Sequence, residues 1–95
     1  MQLNQVTVGC TDVRRAIAFY EALGLQLIVH THDGYARFVC PQGGSTLSVH
    51  RVSGVTQPTT TVVYFECEAL DETVAACKRR GLVFEREPQD QAWLR

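Results

Sequence analysis

Hydrophobic and polar positions alternate with two different periods along this chain, and the period switches in a fixed order. Around Gln5-Val6-Thr7-Val8 the spacing is two, with β-branched residues at the apolar positions, which predicts a strand over residues 3–9. From Thr11 the spacing changes: Val13, Ala16, Ile17, Tyr20 and Leu23 fall on one helical face, with Arg14, Arg15 and Glu21 on the other. Thr11 is the expected N-cap, with Asp12 in the first turn, and Gly24 supplies the left-handed stop. Three strands are predicted next, over residues 25–31, 35–40 and 46–52. Asp33-Gly34 is expected to make a tight hairpin turn between the first two, and Pro41-Gln42-Gly43-Gly44 turns the chain again.

The same order then starts again. With an offset of 57 residues, Val6 falls on Val63, Cys10 on Cys67, Val13 on Leu70, Ile17 on Val74, Tyr20 on Cys77, Gly24 on Gly81 and Leu25 on Leu82. A polar stretch, residues 53–60, links the two copies. The second copy predicts a strand over 61–66, a helix over 70–80 and a strand over 82–87, with Ala92-Trp93-Leu94-Arg95 where the first copy has residues 35–38. Lys78, Arg79 and Arg80 read as a solvated helix end matched to the helix dipole rather than as a binding patch. The chain ends before a second copy at this offset is complete. The expectation is therefore one domain over 1–95, with a βαβββ module at about 2–54 and an incomplete second module at about 61–95. Either the chain is a truncation, or a partner chain supplies the missing edge.

Composition adds exclusions. At 95 residues, 45% hydrophobic and 20% charged, the chain can form one small core with little margin. A net charge of −1 gives no basic excess for nucleic acid. No apolar run is long enough to cross a bilayer as a helix. The reading is a soluble, cytoplasmic protein with no nucleic-acid or membrane partner. Cys10, Cys40, Cys67 and Cys77 lack zinc-knuckle spacing and sit among apolar neighbours, so they read as core-packing thiols.

The run Asp12-Val13-Arg14-Arg15-Ala16-Ile17-Ala18-Phe19-Tyr20, set in a doubled βαβββ pattern, resembles the vicinal oxygen chelate superfamily, which includes glyoxalases, bleomycin resistance proteins and extradiol dioxygenases. "FECEALDETVAACKRRGL" looks like the matching run of a second module. The resemblance implies an α+β fold in which two βαβββ modules form a glyoxalase-like open cup, here with the second module truncated. It also implies a homodimer, covering the unpaired edge, and a small-molecule ligand or substrate. Metal ligands in the superfamily come from the first and last strands of each module, where a divalent ion such as Zn, Ni, Mn or Fe acts as a Lewis acid. Those positions fall on Gln5, Ser48 and Val62, with the fourth on a strand beyond the end of this chain.

Gln5 is an acceptable ligand and Ser48 a poor one, while Val62 cannot bind a metal. His50, two residues beyond Ser48 on the same strand face, reads either as a displaced ligand or base, or as a hydrogen-bonded cavity histidine. Glu66 is a metal ligand or base on one reading and a charge at a strand end on the other. His30 and His32 read as surface residues beside a hairpin, although a His-x-His pair can hold a metal. Arg37 suits an anionic ligand or an ion pair with a neighbouring strand. The expected cavity lining is Thr7, Tyr35, Arg37, Ser48, His50, Tyr64 and Trp93. Two functions follow. One is metal-free binding of a small molecule between the modules. The other is a divalent-metal-dependent lyase, isomerase or ring-cleaving dioxygenase using Gln5, His50 and Glu66.

Overall fold

A computed structural model of the chain describes residues 1–54 and 61–84. Strands β1 (Gln5–Cys10), β2 (Gln26–Thr31), β3 (Tyr35–Val39) and β4 (Thr46–Arg51) form one sheet in the order β1-β4-β3-β2. β1 runs parallel to β4, and the other two ladders are antiparallel. Helix α1 (Val13–Leu23) makes the crossover between β1 and β2, and helix α2 (Leu70–Arg79) follows in the second copy. None of the helices among the described residues is long and apolar enough to cross a membrane.

Local chemistry fixes both helix ends. Asp12, not Thr11, caps α1: its backbone is extended (φ −141°) and its carboxylate accepts the Arg15 amide at 3.1 Å. At the other end Gly24 turns left-handed at φ 115°, and the Leu25 amide donates back to the Tyr20 carbonyl at 3.0 Å. The second copy repeats this ending. Gly81 has φ 96°, and Leu82 donates to Cys77 at 3.1 Å, so the residues equivalent by the sequence offset close both helices in the same way.

The hairpin differs from its sequence reading. Thr31 pairs with Tyr35, so the loop holds three residues, and His32 rather than Gly34 takes the left-handed conformation, at φ 50°. A bulge between Leu27 and Val29 shifts the alternation of β2, which places His30 opposite Ala36; His30 and His32 are both exposed, and only His30 lies in a strand.

Val13, Leu25, Ala36, Phe38, Leu47 and Val49 form the core between α1 and one sheet face, with Tyr20 tilted against Phe38 at a ring distance of 5.4 Å. Leu47 and Val49 thus face the helix, as their alternation with Ser48 and His50 requires. Burial pushes the Cys10 thiol and the Tyr20 phenol above their ordinary pKa ranges, with smaller contributions from nearby charge. Cys10 and Tyr20 pack at the margin of this core.

α2 buries Val74 and Cys77 and is fastened to the end of α1. The Cys77 thiol donates to the Leu23 carbonyl at 3.7 Å, and Arg80 Nε donates to the Ala22 carbonyl at 2.7 Å. These carbonyls belong to the last turn of α1, which has no intrahelical donor left for them. Arg80 therefore serves the negative end of α1 across the two copies, besides belonging to the basic end of its own helix.

Residues 61–66 differ from expectation. They form no strand, and the described residues contain no ladder to them. A strand exists only through bonds to a neighbour, and the outer side of the edge strand β1 carries no ladder among the described residues. Val63 still packs against the core cluster. Of the expected strand over 82–87, residues 82–84 are irregular; its remainder, the linker from residue 55 and Trp93 lie outside the described residues.

Candidate functional site

The sheet face away from α1 carries the residues that alternate with the core. Opposite one another stand Thr7, Ser48 and Arg37, one step away Gln5 with Thr46, and on the other side Gly9, His50 and Tyr35. Ser48 is the focus. Its side chain is on the face away from α1, yet it is 0% exposed, because its neighbours close over it. Gln5 Nε2 donates to its hydroxyl at 2.8 Å, and the Tyr35 hydroxyl shares a bond with it at 2.9 Å. Three side chains from three strands thus form one hydrogen-bonded cluster across the sheet. A polar atom at this depth requires such partners.

A second polar pair lies beside it. Arg37 Nη2 donates to Thr46 Oγ1 at 3.2 Å, and Thr46 in turn donates to the Asn4 carbonyl at 3.1 Å. Arg37 Nε is buried and has no acceptor. Thr46 also forms part of the wall of a cavity of about 400 Å³. One side of that cavity is the start of β1, including Gln5 and Val6, with Thr46 from β4, and the other is residues 61–65. Its walls are mainly apolar. Val62, Tyr64 and Phe65 contribute to them while remaining substantially exposed.

The structure therefore brings together Gln5, Tyr35 and Ser48, and places Arg37 beside them through Thr46. Thr7 is exposed on the edge strand, and His50 is exposed near the far end of β4. Tyr64 reaches the cavity wall, but so do Val63 and Phe65, which a regular strand would point the other way. Glu66 is exposed and lies outside the cavity wall. Among the described residues, no three His, Cys, Asp or Glu side chains converge as a metal cluster. Thr46 and Asn4 were not singled out from sequence. Thr46 had a legible signal, since it lies two residues before Ser48 on the same face; the Asn4 contribution is a backbone carbonyl, which no side-chain pattern reveals.

The profile of the glyoxalase/bleomycin resistance protein/dioxygenase superfamily matches residues 2–95, over the fold and sheet face just described. The chain belongs to this superfamily. Solved structures agree. A possible glyoxalase from Bacillus cereus is 25% identical, with a TM-score of 0.68, covering 84% of this chain and 70% of that one. A hypothetical protein from S. aureus is 17% identical, with a TM-score of 0.69 and coverage of 97% and 79%. An integron cassette protein from the mobile metagenome of V. cholerae is 14% identical, with a TM-score of 0.65 and coverage of 98% and 79%. The last two carry the likeness in fold alone. None of the curated proteins matches the sequence.

Superfamily membership raises the question of a divalent metal, and among the described residues the donors do not fit one. Gln5 pairs opposite Thr46 and His50 opposite Gly9, four residues apart along the same ladder. That is roughly 13 Å of strand, too far for two side chains to converge on one ion with a third ligand. Between them stands Ser48, a neutral hydroxyl already bonded to Gln5 and Tyr35. Val62, at the module-two position, has no donor atom.

Proposed function

We propose that this member of the superfamily binds a small, largely apolar molecule in the cavity between the first module and residues 61–65, without chelating it to a metal. The observation that carries this reading is the Gln5–Ser48–Tyr35 cluster. At two of the positions where the superfamily resemblance places metal ligands, Gln5 and Ser48, this chain has neutral side chains hydrogen-bonded to each other and, through Ser48, to Tyr35. These hydrogen bonds stabilise the cup wall and hold Gln5, Ser48 and Tyr35 against one another.

The adjoining cavity has the chemistry of a binding pocket instead. Its volume of about 400 Å³ lies within the range of small-molecule sites, and its mainly apolar wall carries a few polar groups that orient a ligand. Tyr64 and Phe65 supply flat aromatic surface, and Thr46 and Gln5 supply hydrogen bonds. Binding and release, rather than bond-making, is the activity this arrangement supports.

The test is a titration of ¹⁵N-labelled protein with indole and with 3-phenylpropionamide, followed by amide chemical shifts. Saturable shifts centred on Val6, Thr46 and residues 62–65, abolished by Val62→Trp filling the cavity, are the expected result. Absence of saturable shifts there, or binding that Val62→Trp leaves unchanged, would overturn the reading.

A further inference from the structure

We infer that residues 61–66 are a strap that adds to the outer edge of β1 when the cavity is empty and is held off that edge by a bound ligand. The first half stands on the sheet alone; the second deepens the binding reading above and rests on it.

Three observations converge. First, β1 is an edge open to pairing. The Thr46 amide donates to the Asn4 carbonyl and the Val52 amide to the Cys10 carbonyl, both at 2.8 Å. Backbone groups alternate sides along a strand, so Gln5, Thr7 and Gly9 turn theirs outward, where no ladder runs among the described residues. Edges that must stay single are blunted by bulges, charges or proline. β2, at the other side of the sheet, is bulged between Leu27 and Val29, whereas β1 keeps an unbroken register and carries no charge or proline. Second, the facing segment suits a strand. Thr61, Val62, Val63, Tyr64 and Phe65 are all β-branched or aromatic, yet none of them lies in a strand. Third, the two are neighbours. Leu3 to Val6 and Thr61 to Phe65 line the same cavity, and Val63 packs against the core, which tethers the segment beside the edge.

The cavity and a ladder exclude each other. Paired strands lie about 4.8 Å apart, which leaves no room for a ligand between their backbones. Adding the strap satisfies the outward groups of β1 and removes the cavity. A molecule in the cavity keeps the two segments apart. The ligand therefore binds the open form, and its apparent affinity falls with the fraction of chains that are closed.

The experiment is ¹⁵N relaxation dispersion and saturation-transfer NMR on the free protein, repeated with saturating indole. The free protein is expected to exchange on the microsecond-to-millisecond scale with a closed state populated to about 1–10%, seen at Gln5, Thr7 and residues 61–66. In that state the Cα shifts over 62–65 are strand-like and the Gln5 and Thr7 amide protons move downfield. Saturating indole removes the exchange. Thr7→Pro removes it without ligand, because the lost N–H is one of the outward groups and the ladder to β4 stays whole. Absence of exchange in the free protein, a minor state without strand-like shifts, or exchange that survives Thr7→Pro would overturn the strap. If Thr7→Pro does not fold, the minor-state shifts of the unmutated chain decide. If indole gives saturable shifts at 62–65 but leaves the exchange unchanged, the gating half fails while the cavity reading stands. If indole gives no saturable shifts there, the cavity reading fails and takes the gating half with it, and the free protein alone decides the strap.

Discussion

The first copy of the repeat and the second begin with the same sequence pattern and reach different structures. In the first, residues 5–51 form four paired strands and a helix around a shared core. In the second, the helix forms at the equivalent residues, but the stretch equivalent to β1 does not become a strand among the described residues. A helix satisfies most of its backbone within itself and needs only a surface on which to lay its apolar stripe. A strand needs a neighbour for every other group it carries. The second copy therefore keeps its helix, docked on the end of α1 through Cys77 and Arg80, while in residues 61–66 Val63 packs against the core without a strand forming.

The comparison breaks most visibly in the core. Phe38→Ala removes a fully buried ring from the first copy and is expected to cost about 3–5 kcal/mol in urea unfolding, lowering hydrogen-exchange protection in all four strands together. Val74→Ala in α2 is expected to cost about 2 kcal/mol and to speed exchange in α2 while β3 and β4 keep their protection. Equal loss of protection in both regions for both variants would show that the two copies unfold as one unit.

How much of this was legible follows from the same contrast. Helix periodicity and the two glycine stops needed only local sequence, and both helices lie where the pattern puts them, α1 at Val13–Leu23 and α2 at Leu70–Arg79. The alternation in β4 correctly separated Leu47 and Val49 from Ser48 because one face packs against a helix. Pairing was harder to see. The strand pattern at 61–66 is as good as that at 5–10, but a pattern does not say whether a partner is present. The cap moved from Thr11 to Asp12 because either side chain can accept an amide and only the backbone geometry chooses. In the site, alternation put Ser48 on the face away from the helices, Tyr35 and Arg37 were expected in the cup, and the superfamily resemblance pointed to Gln5. None of these could show that Ser48 is sealed by Gln5 and Tyr35, since that depends on cross-strand register rather than order along the chain. His50 looked equivalent to Ser48 by period two, yet its place near the end of β4 leaves it exposed.

A smaller effect sharpens the picture of the cup. Ser48→Ala leaves the Tyr35 hydroxyl and the Gln5 amide without their shared partner, and about 1–2 kcal/mol of stability is expected to be lost with no change in fold. Ser48→Cys, similar in size and a weaker hydrogen-bonding group, should lose less than alanine only if some bonding persists.

The smallest expected effect is the pH dependence of the first copy. Cys10 and Tyr20 both titrate above their ordinary values, chiefly through burial. The folded chain thus holds these protons to higher pH than the unfolded one, so their contribution is complete below the unfolded values and declines as pH rises through the folded ones. Stability is expected to fall on the alkaline side, and the Cys10→Ala, Tyr20→Phe double variant should flatten that decline in urea midpoints measured across the alkaline range.

The central proposal is that Gln5 and Ser48, hydrogen-bonded to each other, hold no metal, and paramagnetic broadening by Mn(II) tests it most directly. With ¹⁵N-labelled protein and Mn(II) added up to one equivalent, the amides of Gln5, Ser48 and Tyr35 are expected to lose no more signal than the rest of the sheet. Selective loss centred on Gln5 and Ser48, saturating at one ion per chain, would contradict the account.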